Sequence, residues 1–380
     1  MRLYHNYLFL FGFIYYLIIP VIVGKNGCFE NFPGMRLFYE NFPNGNLLED
    51  YYIKSSLVLI SFYLGSYSAL FFRKRKKNNC VNQVVPINKW IFITIAMINQ
   101  MVVFLNRDVF FTGYTLGYQV DLLGKISTLN CIYLFVFLYL RSTNQKGMLH
   151  SLSLFLLIEN SILLLSLGSR MYVLIPFIGC FIYMLDRKLI KFKKLLIHFV
   201  VIIIAFLAIG LLRQGSNINV EGLVYIGFAE PLFTWISAGS FITQNSSINL
   251  IDFPGNFLGT FINFVPTFIF PNKASYIASI PYPFDTPLGA SSIIPNLFGN
   301  FGLLITPFVI YIGGFLLTFI RYYHTYFFQV YYYCCCSLLP FILFRDMQSV
   351  NKLLFTSFLM YPAMIFFLRV NFHKLVTPHA

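Results

Sequence analysis

Apolar residues run through this chain in blocks of roughly 15 to 24, near the length a helix needs to cross the hydrocarbon core of a bilayer. Short polar segments separate the blocks. They fall at about 7 to 23, 53 to 72, 89 to 105, 126 to 140, 149 to 167, 171 to 185, 195 to 212, 297 to 320, 328 to 344 and 353 to 368, and this pattern predicts ten transmembrane helices. Two further apolar stretches, about 223 to 243 and 255 to 270, are interrupted by Glu230-Pro231, Pro254-Gly255 and Pro266. They read as a helix pair or as a re-entrant hairpin, and either way they add an even number of crossings between Arg213 and Asn296. The expected fold is an all-α polytopic membrane protein, one integral domain over 1–380 with a bundle of about ten to twelve helices. Residues 213–296 form a re-entrant or broken-helix region within it. The first block has the look of a secretory signal but lacks a small-residue cleavage site, so it reads as a retained helix.

Charge orients this bundle. The chain carries 27 Lys and Arg against 13 Asp and Glu. The clusters Arg73-Lys74-Arg75-Lys76-Lys77 and Arg187-Lys188 with Lys191, Lys193 and Lys194 are placed in the cytoplasm by the positive-inside rule. Both termini then lie inside. The long connections 24–52, 106–125 and 213–296, the last with eight prolines, lie outside. Long connections tend to carry function, so the working face is expected to be the outer one. A composition that is 58% hydrophobic and 11% charged excludes a water-soluble interior of this size and leaves no basis for nucleic-acid binding. Tyrosine pairs such as Tyr15-Tyr16 and Tyr51-Tyr52 read as interface anchors. Seven cysteines show no ligand spacing, and no metal or other cofactor is expected.

Two carboxylates interrupt apolar stretches, Glu159 and Glu230, where a charge at helix centre costs about 2.5–3.5 kcal/mol. For Glu159 a structural role inside the bundle competes with a functional one. Glu230 precedes Pro231, which limits helix continuity and places the carboxylate at a broken helix beside a wet cavity. Basic residues at the outer ends of spans form a second constellation: Arg107, Arg170 in the turn Gly168-Ser169-Arg170, Arg213, Lys273 and Arg345. Arginine's planar fork suits phosphate oxygens, and several at one depth would seat a pyrophosphate. Snorkelling to anionic lipid headgroups is the alternative, favoured for Arg107 and Arg345 taken singly.

Leu167-Gly168-Ser169-Arg170, Leu212-Arg213-Gln214-Gly215, Glu230-Pro231, Val265-Pro266-Thr267, Pro271-Asn272-Lys273 and Leu297-Phe298-Gly299-Asn300-Phe301-Gly302, taken in this order and spacing, resemble the Wzy family of O-antigen polymerases. The likeness covers about 160–305, with compatible topology elsewhere. An Arg-x10-Gly loop motif found in some members is absent. The resemblance implies a bundle like that of the type C glycosyltransferases, in a bacterial inner membrane, with the active face periplasmic. It implies an enzyme that transfers a growing glycan from undecaprenyl pyrophosphate onto a new lipid-linked repeat unit. Its implied partners are the lipid-linked donor and acceptor, membrane lipids and a polysaccharide chain-length regulator.

That chemistry asks for a general base at the acceptor hydroxyl and fixed cations at the departing pyrophosphate. All six histidines fall on the cytoplasmic side of the expected topology, which leaves carboxylates as bases. Glu230 is the first choice and Asp285, in Pro-Phe-Asp-Thr-Pro, the second. A lipid-linked oligosaccharide flippase shares the substrate class and the basic cavity, but its charges belong at the bilayer midplane. An O-antigen ligase also works on the outer face, yet its relatives use a histidine in a large periplasmic loop, and this topology places none there.

Overall fold

A computed structural model describes residues 2–73, 84–111, 119–191, 220–244, 270–272, 291–323 and 325–368, with a few single positions between 193 and 275. All regular structure among them is helical. In chain order the helices are α1 Tyr4–Asn26, α2 Met35–Glu40, α3 Asn46–Arg73, α4 Lys89–Leu105, α5 Gln119–Ser142 and α6 Met148–Ser166. They continue with α7 Arg170–Asp186, α8 Val220–Gln244, α9 Ile293–Arg321, α10 Tyr326–Leu338, α11 Ile342–Arg345 and α12 Ser349–Phe367.

Six of these, α1, α3, α5, α6, α9 and α12, are long and apolar enough to cross a membrane. Helices α4 and α7 match two more expected blocks but have 17 residues each. The block at 195–212 lies largely outside the described residues, and the stretch at 255–270 lies outside them except for Phe270. Packing divides the chain into two compact units. One comprises Met1–Lys77, Phe181–Tyr322 and Leu338–Lys352, and the other comprises Asn78–Cys180, Tyr323–Ser337 and Leu353–Ala380.

Prolines shape the first unit. In α1 a π-helical turn, Ile14–Ile18, ends two residues before Pro20. The ring has no N–H to offer the preceding turn and crowds it, and a widened turn relieves both problems. The same device recurs in the second unit, in α12, where Leu353–Met360 is π-helical ahead of Pro362. Helix α8 differs from expectation: it runs unbroken through Pro231. The carbonyl that loses its donor there is that of Gly227, four residues back, and the Tyr15 hydroxyl donates to it at 2.5 Å. A side chain from α1 thus replaces the missing backbone bond and keeps α8 continuous.

Two expected helices are interrupted instead. The block at 297–320 belongs to α9, which kinks at Gly302, a residue with φ 63° that no L side chain adopts easily. Across the kink the Thr306 hydroxyl donates to the Leu297 carbonyl at 3.0 Å. The block at 328–344 breaks after Leu338, with Pro340 in the gap, and resumes as the single turn α11.

Helix α3 packs along α9 at backbone contact. A Cβ built on Gly65 would lie 2.0 Å from the Tyr311 carbonyl oxygen, and one on Gly314 would lie 2.2 Å from that of Phe62. Small residues let apolar helices approach this closely where water supplies no driving force. Gly313, one position along, has nothing within 4 Å of its would-be Cβ. Gly314→Ala is therefore expected to destabilise the protein by about 1–3 kcal/mol through overpacking, while Gly313→Ala leaves it unchanged. Thermal unfolding of the two purified variants in one detergent checks this, and equal stabilities would refute the contact.

At one end of the first unit Arg321, 1% exposed, forms a two-pronged ion pair with Asp186, with Nη1 to Oδ2 at 3.0 Å. The guanidinium lies over the Tyr4 ring at 5.6 Å. Next to it His5 Nε2 meets the Thr318 hydroxyl at 3.0 Å. The last residues of α7 and α9 and the first of α1 thus gather at one end, in keeping with the charge pattern, which assigns all three to the same face.

Candidate functional site

Glu230 and Arg345 meet in the first unit, with a guanidinium nitrogen 2.9 Å from Glu230 Oε1. The Tyr16 hydroxyl donates to the same carboxylate oxygen at 3.0 Å. Tyr16 is 1% exposed, whereas about a third of each charged side chain stays open, 33% for Arg345 and 32% for Glu230. The tyrosine is a fixed wall and the ion pair is its accessible edge.

Each member is placed by a helix irregularity. The π turn of α1 carries Tyr15 and Tyr16 consecutively, one bonded to Gly227 and the other to Glu230. Pro231 leaves open the carbonyl that draws Tyr15 to α8. The break after Leu338 ends α10 at 13 residues, about 20 Å of rise, and the chain resumes as the α11 turn that carries Arg345. The α11 turn then packs on the middle of α1, with the Phe344 ring 5.1 Å from that of Phe9 and against Gly12. A Cβ on Gly12 would lie 2.5 Å from the Phe344 ring and 2.9 Å from the Pro340 carbonyl oxygen, so a side chain there would push α11 from its place.

Hydrogen bonds lock the segment around Arg345. Its carbonyl accepts the Ser291 N–H at 3.0 Å. The Ser292 N–H in turn donates to the Ser237 hydroxyl of α8 at 2.7 Å, and the Ser292 side chain caps α9. Asp346 accepts the Ser349 N–H at 2.9 Å and its hydroxyl at 2.6 Å, which starts α12. Irregular backbone inside a helical bundle persists only where its polar groups find such partners or line a cavity.

Arg345 is therefore corrected in place: it lies beside the middle of α1 and not at the outer tip of an unbroken span. Tyr15 and Tyr16 are likewise corrected from interface anchors to partners of α8. Glu230 lies on a continuous helix, not a broken one. Among the other expected residues, Arg170 opens α7 in the second unit after Gly168, whose φ of 90° closes α6. The Ser169 N–H returns to Leu164 O and the Gly168 N–H to Leu165 O, both at 3.0 Å, a Schellman closure that makes the hairpin tight. Arg107, also in the second unit, is exposed, 3.7 Å from Asp108 and over the Phe104 ring at 5.2 Å. Arg213, Lys273 and Asp285 lie outside the described residues.

Comparison with protein-family models, with curated proteins and with solved structures gives no match to this chain.

Proposed function

We propose that this chain polymerises undecaprenyl pyrophosphate-linked oligosaccharide repeat units, with Glu230 as the base and Arg345 as a pyrophosphate-binding cation. The observation that supports the reading best is that Glu230, the first-choice base, and Arg345, one of the candidate pyrophosphate cations, meet at 2.9 Å beside a helix break. Broken helices at membrane depth mark substrate sites in other bundles.

Paired, the two groups neutralise each other, so catalysis requires an exchange of partners. Pyrophosphate oxygens compete with Glu230 for Arg345, to which they offer more negative charge and a two-pronged fit. Glu230, still held by Tyr16, is then released to take the proton of the acceptor hydroxyl. The acceptor oxygen forms its bond to the anomeric carbon as the bond from that carbon to the pyrophosphate oxygen breaks. The lipid pyrophosphate departs with the bonding electrons onto Arg345. The other phosphate-binding candidates from the sequence are Arg213 and Lys273 and, in the second unit, Arg170 and Arg107, and Asp285 is the second candidate base.

Depth along α1 puts the pair near the bilayer centre, a depth at which a flippase would also hold its charges. Tyr16 stands about 16 Å along the helix from His5, whose end holds Arg321 and Asp186. With that end cytoplasmic, the pair lies just past the bilayer centre on the periplasmic half. In this reading the protein sits in a bacterial inner membrane with both termini inside, and it meets a chain-length regulator in the periplasm. A strain lacking the protein is expected to keep lipopolysaccharide with a single repeat unit on the core, seen as one band on a gel. Core without any repeat unit would make the protein a flippase or a ligase instead.

A further inference from the structure

The second unit holds a polar layer that this reaction does not use. Asn99 and Gln100 on α4, Asn130 on α5, and Glu159, Asn160 and Ser161 on α6 lie near the middle of three apolar helices. Asn160 Nδ2 donates to Asn99 Oδ1 at 3.0 Å, Gln100 Nε2 to Glu159 Oε2 at 2.7 Å, and Asn130 Nδ2 to Ser161 Oγ at 3.4 Å. The Ser161 hydroxyl is spent on the Leu157 carbonyl at 2.7 Å. Asn99 and Asn160 are 0% exposed and Asn130 is 1% exposed.

Helix-to-helix bonding accounts for these contacts but leaves three buried atoms open: Asn99 Nδ2, Asn130 Oδ1 and Asn160 Oδ1. Open polar atoms in a sealed interior ordinarily mark a water or an ion. Glu159, half-buried, stands at the edge of this layer. Glu159 bonds a neutral amide, and no ion pair among the described residues includes it. A carboxylate in the middle of an apolar helix calls for a counter-cation.

We propose that this layer binds a sodium ion, with Glu159 supplying the charge, Asn130 Oδ1 and Asn160 Oδ1 the neutral oxygens, and a water of hydration accepting from Asn99 Nδ2. One carboxylate suits a monovalent ion, since divalent sites of this kind gather several. A proton would satisfy the carboxylate alone and leave both amide oxygens without a partner. Oxygen ligands exclude softer metals that prefer nitrogen and sulfur.

The test is thermal unfolding of the purified full chain in detergent, in sodium chloride against choline chloride at equal ionic strength. A ligand that binds only the folded form raises its melting temperature, so Tm is expected to be higher in sodium by at least about 3 °C. Glu159→Gln is expected to abolish the increment, and Asn130→Ala, which keeps the charge, to reduce it. Binding of radioactive sodium to the wild type, displaced by unlabelled sodium, is the second readout. A Tm indifferent to sodium overturns the site, whatever the variants do. So does an increment that survives Glu159→Gln, or stabilisation that follows acid pH without any response to sodium.

Discussion

Replacing Glu230 by glutamine is expected to lower polymer synthesis by about 10²–10⁴-fold, the range for loss of a general base, in a protein that still reaches the membrane at normal levels. Gln keeps the shape and can still accept the Tyr16 hydroxyl, so only the charge and the basicity are removed. The ion pair to Arg345 is also lost, and its size decides how the result is read. With about a third of each partner open, its worth is about 1 kcal/mol or less. That is too little to unfold the protein or to imitate the loss of a base. Combining E230Q with Arg345→Gln separates the two cases. A structural pair would be partly rescued once both charges are gone, whereas separate roles in base catalysis and phosphate binding leave the double variant as inactive as either single one. Long ladders from a well-expressed E230Q protein would remove Glu230 from the mechanism, and Asp285→Asn would be the next substitution to make.

How much of this site was legible beforehand differs by residue. Glu230 stands out because a carboxylate inside an apolar run has few bland explanations, and the structure gives it Arg345 and Tyr16 as partners. The position of Arg345 was not legible from span length. The run 328–344 is apolar throughout, and hydropathy does not register that Pro340 divides it; α11 turns back against α1, which is a tertiary event. Tyr16 was misread for a similar reason. Tyrosine at a span end is an anchor, but Tyr15 and Tyr16 lie in the middle of 7–23, and a hydroxyl at that depth needs a partner. Pro231 offered the matching clue, since a proline inside a helix frees the carbonyl four residues back. Two such irregularities at one depth on different helices, a mid-span tyrosine pair and a mid-helix proline, are the sequence trace of their contact.

The long helices were legible because length and apolarity decide them locally. The kink at Gly302 was not: glycines also stand at 299, 313 and 314 in α9, and the sequence does not distinguish the one that takes a left-handed φ from the one that packs against Phe62. Glu159, for which a structural and a functional role compete, bonds Gln100 of α4, a helix-to-helix contact that hydropathy along one helix does not register.

The other large effect belongs to the far end of the first unit. Removing either side chain of the Arg321–Asp186 pair is expected to cost about 3–5 kcal/mol, because the survivor is left charged in a site shaped for two. Arg321 is 1% exposed and Asp186 is 19% exposed, so water does little to screen the survivor. The double variant Arg321→Met with Asp186→Asn is expected to recover much of the loss, since the desolvation of both charges disappears with them. Thermal unfolding of the four proteins gives the coupling directly as a double-mutant cycle. Additive losses in that cycle would mean that each side chain is held by other neighbours. The pair joins α7 to α9, next to where α1 begins, at the end assigned to the cytoplasm. Large coupling here, together with unchanged polymer synthesis in the folded double variant, would assign this end to stability and leave the chemistry with the Glu230–Arg345 pair.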